Sequence, residues 1–219
     1  MVVKSIFDRV VSLIALLFLS PVFLFVALLI KIDSSSGPVF FRQERIGKGG
    51  RLFWIFKFRS MVPNASEVGP QITPREDRRI TKVGRLLRRY KLDELPQLLN
   101  VLKGEMSFVG PRPEVPKFAQ KYSIGDKKVL SVKPGITDLA TLYYRNESEL
   151  IQLAEGAEEY YCNHILPRKL ALNRFYIERQ NLVWDIVILG MTVLVSLCPK
   201  FFGKKLGAMV EKRILSNLT

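Results

Sequence analysis

Arg88-Arg89-Tyr90-Lys91-Leu92-Asp93-Glu94-Leu95-Pro96-Gln97 runs on through Leu98-Leu99-Asn100-Val101-Leu102-Lys103-Gly104 to Phe108-Val109-Gly110-Pro111-Arg112-Pro113-Glu114. Leu95, Leu98, Leu99 and Leu102 recur at helical spacing, which predicts a short amphipathic helix ended by Gly104. Pro96 has no N–H to give and fits only the first turn of that helix. Asp93 and Glu94 then stand at its N-terminus, where unpaired N–H groups and the helix dipole favour negative charge and keep Asp93 ionised. Being adjacent, the two carboxylates point in different directions and can take separate jobs. The run Gly110 to Glu114 reads as a stiff loop that fixes Arg112. Carboxylates facing a rigidly held arginine suit phosphate chemistry. Taken alone, the same residues also fit a helix cap and a solvated loop arginine.

Composition narrows the partners. The chain has 219 residues, with 34 Lys and Arg against 20 Asp and Glu, a net charge of +14. Such a balance calls for an anionic partner: nucleic acid, anionic lipid or a phosphorylated substrate. A hydrophobic content of 48% beside that charge suits a protein that meets a negative bilayer surface. Cys162, Cys198 and His164 make neither a disulfide framework nor a zinc set. Neither RNP-type aromatic strands nor zinc-finger spacing is present, so no nucleic-acid partner is expected.

Val10 to Ile30 is a run of 21 uncharged residues, long enough to cross a bilayer. Ser20-Pro21 lies at its middle, where proline removes a backbone hydrogen bond and a nearby hydroxyl can satisfy the freed carbonyl. Basic residues flank both ends: Lys4 and Arg9 before, Lys31, Arg42, Arg45 and Lys48 after. A crossing helix has one basic side, so symmetric flanks predict a bent, re-entrant helix with both ends cytoplasmic. A single crossing is the alternative.

Asp33 to Pro38 is a breaker cluster. Val39 to Arg45 and Arg51 to Phe58 read as two strands about a glycine turn, with Trp54, Phe56 and Phe58 on one face and Ile55, Lys57 and Arg59 on the other. Arg75 to Lys91 carries eight basic residues along an apolar stripe, a solvated helix face, a membrane-surface patch or a phosphate wall. Glu149 to Asn181 reads as helical, interrupted near Pro167. Asn181 to Cys198 is strongly apolar, but Asp185 is costly in hydrocarbon. With Trp184 before it and Lys200, Lys204, Lys205, Lys212 and Arg213 after it, this segment reads as an interfacial helix.

In series, these motifs resemble one family. They are Ser20-Pro21 in an apolar helix, Lys57-Phe58-Arg59-Ser60-Met61, Arg79-Ile80-Thr81, Leu92 to Gln97, Gly104 to Pro113, and Lys133-Pro134-Gly135-Ile136-Thr137. The chain resembles the bacterial sugar transferases, or monotopic phosphoglycosyl transferases, from its first helix to about Arg145. The resemblance implies transfer of a phosphosugar from a UDP-sugar to polyprenyl (undecaprenyl) phosphate, with release of UMP. It implies an aspartyl-phosphosugar intermediate and a magnesium ion (Mg2+), at the cytoplasmic face of the bacterial inner membrane, as the first membrane step of glycoconjugate assembly. Asp93 is then the nucleophile and Glu94 a magnesium ligand. Arg112 and Arg145 hold phosphate oxygens, with Lys57, Arg59, Arg78 and Arg79 as further basic candidates. Departures are Asp138, where the family often has glycine, and Thr141, where it often has glutamine. Tyr143 and Tyr144 precede Arg145.

The expected fold is α/β, predominantly helical with a small β-hairpin. Residues 1–33 form the re-entrant helix, 34–180 the cytoplasmic catalytic domain, and 181–219 an interface helix with a basic tail. Anionic lipids and a second copy of the chain are further expected partners. The rival function is a non-catalytic membrane-tethered adaptor whose basic face binds anionic lipid.

Overall fold

A computed structural model describes residues 2–34, 36–65, 68–69, 72–73, 76–152, 154 and 156–197. Arg75, Cys198 and the basic tail from Lys200 to Arg213 lie outside the described residues. The chain forms two compact units: residues 1–43 with 54–104, and residues 44–53 with those from 105 onward. The apolar N-terminal helix falls in the same unit as the Asp93 stretch. The C-terminal apolar helix falls in the same unit as the Arg112 loop.

The first unit opens with helix α1, Val2–Asp33. Among the described residues it is the one helix long and apolar enough to cross a membrane. It buries only Asp8, Ser12, Val26 and Ile30 and exposes a broad apolar face that includes Leu17, Phe18, Leu24 and Phe25. Helical structure continues through Ser20 and Pro21, the expected break. Proline at position 21 leaves the Leu17 carbonyl without its usual donor four residues on, and Ser20 Oγ donates to that carbonyl at 2.8 Å.

Strands β1 (Phe40–Ile46) and β2 (Leu52–Phe58) form the expected hairpin around Lys48–Gly50. Both Gly49 (φ 69°) and Gly50 (φ 78°) take the left-handed conformation that favours glycine. Burial does not follow the expected two faces. Phe58 and Ile55 are both buried although they alternate, and Trp54 is 55% exposed. Phe58 joins Val26, Ile30 and Leu87 in the core of this unit, packed by Phe23 and Leu92. The backbone of β2 is closed off by Asn100, whose side chain accepts from Phe56 N–H at 3.1 Å and donates to the Trp54 carbonyl at 2.7 Å. Packing of Phe58 on Val26, Ile30 and Leu87 buries one end of its face, while Trp54 on the same face stays out.

Helix α2 (Lys82–Arg89) is capped by Thr81, whose hydroxyl accepts from Gly84 N–H at 2.9 Å. Asp33 Oδ2 accepts from Val83 N–H at 3.0 Å. The predicted single helix after Lys91 is two pieces: a 3-10 turn, Leu92–Gln97, and helix α3, Leu98–Lys103. Pro96 lies in the tighter turn, and Gly104 ends α3 at φ 82°, as its position predicts. Ser12 Oγ of α1 donates to the Leu98 carbonyl at the start of α3, at 2.6 Å.

In the second unit, β3 (Ser107–Val109) and β4 (Gly135–Thr137) pair in parallel, with Ser107 opposite Gly135 and Val109 opposite Thr137. A Cβ on Gly135 would run into the backbone of Gly110, so the two chains approach as only glycine allows. Short helices α4 (Pro116–Ala119), α5 (Leu139–Tyr143), α6 (Glu147–Gln152) and α7 (Ala157–Tyr160) follow. A π-turn, Tyr161–Ile165, leads directly into α8, Leu166–Glu178. The expected interruption near Pro167 takes the form of this π-turn, which ends at Ile165. Proline there occupies the first turn of α8, and a second break falls earlier, at Gly156 with φ 75°.

Helix α9 spans Leu182–Leu197. Its Ile188 and Val195 join Val109, Leu139, Leu172 and Tyr176 in the core of the second unit. Asp185 is buried there and accepts from the Tyr176 hydroxyl at 2.5 Å. A protein partner thus receives the carboxylate that looks out of place in an apolar segment.

Candidate active site

The 3-10 turn that carries Asp93 and Glu94 is set by an unusual residue before it. Lys91 adopts φ 58° with a side chain present, a left-handed pinch between α2 and the turn. Beyond the pinch, Leu92 and Leu95 go to the core against α1. Asp93 and Glu94 are also drawn inward, to 7% and 8% exposure. Asp93 Oδ1 accepts no hydrogen bond and the turn has no side-chain cap, so capping does not account for the burial of this pair.

Lys57, from β2, places Nζ 3.0 Å from Glu94 Oε1. Asp93 is different: its Oδ1 is buried with no hydrogen-bond partner among the described residues. Burial pushes the Asp93 carboxyl above its ordinary range and Glu94 adds to this, while Lys57, Lys91 and Arg88 pull it back. The shift runs opposite to the lowering expected of a helix N-terminus. In a short 3-10 turn the dipole is small, and loss of solvation outweighs it.

Of the expected basic candidates in the first unit, Lys57 meets a site carboxylate. Arg59 donates instead to the carbonyls of Ser34, at 2.7 Å, and Ser36. Arg79 forks onto Asp77 through Nε and Nη2 and reaches the Ala65 carbonyl through Nη1, at 2.7 Å. Arg78 is exposed. Two residues that the sequence did not single out join the site. Arg88 is sunk deep enough for burial to lower its pKa, against the raising effect of Asp93, Asp77 and Glu94. Its Nε donates to Ser60 Oγ at 2.9 Å. The signal available was position: Arg88 comes from the last turn of α2, just before the pinch.

Arg112 and Arg145 belong to the second unit. Asp138 has no exposed surface and holds both the Arg112 loop and α5. Its Oδ2 accepts from Arg112 N–H at 3.0 Å, and its Oδ1 accepts from Thr141 N–H at 2.5 Å. The departure from glycine at 138 is thus a helix cap that also fixes the arginine's backbone. Arg145 donates to the Val195 carbonyl, and burial lowers its pKa.

No group of three or more His, Cys, Asp or Glu suited to a metal occurs among the described residues. Magnesium does not need one, because it keeps several waters and is commonly held by one or two carboxylates with substrate phosphates. The buried, unpartnered Asp93 Oδ1 beside Glu94 fits that donor set.

A family model described as bacterial sugar transferase matches residues 1–199. The chain belongs to the bacterial sugar transferase family. Relatives within reach include the UDP-glucose:undecaprenyl-phosphate glucose-1-phosphate transferase of Xanthomonas campestris pv. campestris, 38% identical over 91% of this chain and 40% of the relative. An undecaprenyl-phosphate glucose phosphotransferase of Komagataeibacter xylinus is 38% identical over 88% of this chain and 35% of its own length. The exopolysaccharide production protein PSS of Rhizobium leguminosarum bv. phaseoli is 45% identical over 90% of this chain and 96% of its own length. The chain therefore spans only 35% and 40% of the two relatives named for their reactions.

Proposed function

We propose that this bacterial sugar transferase moves a sugar phosphate from a UDP-sugar to undecaprenyl phosphate and releases UMP. The observation that carries the reading is the buried Asp93 carboxylate, its Oδ1 unpartnered and its charge countered by Lys57 and Arg88. The names of the relatives support the substrate class. In the first step an Asp93 carboxylate oxygen bonds to the sugar-bearing phosphorus. The bond from that phosphorus to the bridging oxygen breaks, and UMP departs with the oxygen. In the second step a phosphate oxygen of the lipid attacks the same phosphorus. The Asp93–phosphorus bond breaks, which yields the lipid diphosphosugar and restores the carboxylate.

Attack on phosphorus that carries negative oxygens is opposed by repulsion, which nearby cations relieve. Lys57 and Arg88 supply fixed positive charge beside Asp93, and Arg112 and Arg145 keep the phosphate-binding roles that the family resemblance gives them. Asp93 and Glu94 would hold magnesium, which when bound neutralises phosphate oxygens. Two half-steps let a water-soluble donor and a lipid acceptor use one carboxylate in turn.

The test is UMP release from a panel of UDP-sugars, with radiolabelled undecaprenyl phosphate in detergent or vesicles. Label is expected in a lipid diphosphosugar for at least one donor. No UMP and no labelled product from any of them leaves the lipid-binding adaptor as the better account.

The same reading places the chain at the cytoplasmic face of the inner membrane, with α1 as a re-entrant helix and α9 at the interface. A cysteine at position 2 and another at position 36 are expected to react with an impermeant reagent from the same side. Labelling from opposite sides would establish a crossing helix instead.

A further inference from the structure

One buried arginine is spent entirely away from the carboxylates. Arg59, at the end of β2, is 6% exposed, and both terminal nitrogens of its guanidinium go to main-chain carbonyls, Ser34 and Ser36. Those carbonyls lie just past α1, where a helix runs out of its own donors and where positive charge is favoured. Asp33, the last residue of α1, reaches the other way and accepts from Val83 N–H in α2. Burial raises the Asp33 carboxyl, but Thr81, the Val83 amide, Lys82 and Arg85 outweigh it and hold it below the ordinary range. Gly37 closes the loop at φ 82°, and a Cβ there would stand 2.5 Å from Arg59 Nη1.

The next residue carries the connection onward. The Ser60 carbonyl accepts from Thr81 N–H at 3.2 Å and lies so close to α2 that a methyl group on Gly84 would strike it. Ser60 Oγ receives Arg88 Nε, and Arg88 is one of the cations that act on Asp93. Direct contacts therefore run from the end of the apolar helix, through Arg59 and Ser60, to α2 and the catalytic turn. All of them lie within the first unit.

We propose that Arg59 and Asp33 are positioning residues that lock α1 at a fixed angle to the Asp93 turn, so that a lipid phosphate arriving at the bilayer meets Asp93. The inference rests on the proposed transferase function and assigns the clasp to the acceptor step. A water-soluble donor reaches Asp93 without help from the angle of α1. The lipid acceptor does not, because its height is set by the membrane. Arg59 accordingly holds protein carbonyls and not substrate phosphate.

The test uses the full chain in nanodiscs, with Arg59→Gln and Gly37→Ala as two independent ways to loosen the clasp. Gly37→Ala keeps every charged group and acts by crowding the Arg59 guanidinium. Donor-dependent UMP release without acceptor is expected to stay within about twofold of the parent. Discharge of the labelled protein by undecaprenyl phosphate is expected to slow by about tenfold or more, since small misplacements of reacting groups carry penalties of that order. Equal slowing of both steps, or of neither, overturns the proposal. A second readout needs no catalysis: spin labels at positions 25 and 86, both exposed, with Cys162 and Cys198 replaced by serine. The distance distribution should be narrow in the parent and broad in both variants, and an unchanged width overturns the clasp. If the parent itself forms no adduct, the transferase reading fails while the distances still decide whether the clasp exists.

Discussion

Asp93→Asn is expected to abolish turnover, to leave no labelled protein adduct, and to raise the melting temperature of the substrate-free protein. The first two outcomes follow because an amide cannot form the acyl phosphate on which the proposed two-step transfer depends. The third follows from burial. The Asp93 carboxyl is raised in the folded protein above its reference of 3.8. A raised group makes its stabilising contribution below the unfolded value and loses it as pH climbs through the folded value. At neutral pH the native fold therefore carries the cost of an ionised, poorly solvated carboxylate, and asparagine removes it. Gains from relieving such functional strain run to about 0.5–2 kcal/mol. Thermal unfolding in detergent without divalent metal reads this directly, and the parent should gain stability from neutral pH down toward the ordinary carboxylate range. Near-normal turnover of the variant would refute the covalent step at this position. A lowered melting temperature would refute the account of its burial.

Glu94→Gln carries the second large effect. The substitution keeps the shape but deletes the charge that Lys57 meets at 3.0 Å and that would help hold magnesium. A loss of about 10²-fold or more in the rate of UMP release is expected, the scale on which removal of one charge-stabilising group is felt in an enclosed site. Added magnesium should recover part of this and no more, because it restores occupancy but not the partner of Lys57. Full recovery at high magnesium would reduce Glu94 to a ligand alone. Retention of parental activity would remove it from the site.

The local features were legible because their causes are local. Gly104 ends α3 where its freedom at positive φ predicts, and the glycine turn makes the hairpin. The helical spacing of Leu98 and Leu102 survives in α3. What sequence could not deliver are meetings between distant positions. Ser60 and Arg88 are 28 residues apart, and their bond depends on how α2 lies on the end of β2. Arg59 looks like a phosphate ligand in a basic motif, but the carbonyls it serves belong to a linker 23 and 25 residues away. The pinch at Lys91 was equally hidden, since a lysine gives no hint of left-handed backbone. Without it Asp93 reads as a solvated helix cap, and its burial goes unnoticed. Asp138 misled in the opposite direction: an apparent irregularity in the motif is a cap with a second use.

The Tyr176–Asp185 bond also fixes how α9 is turned about its own axis. With Asp185, Ile188 and Val195 keyed inward, Val183, Ile186, Val187, Val193 and Leu194 must look out. Rolling the helix would drag a carboxylate onto the greasy side and cost the Tyr176 hydroxyl its Asp185 partner. Those five side chains therefore form a stripe of constant orientation, and any bilayer that α9 touches meets the same stripe each time.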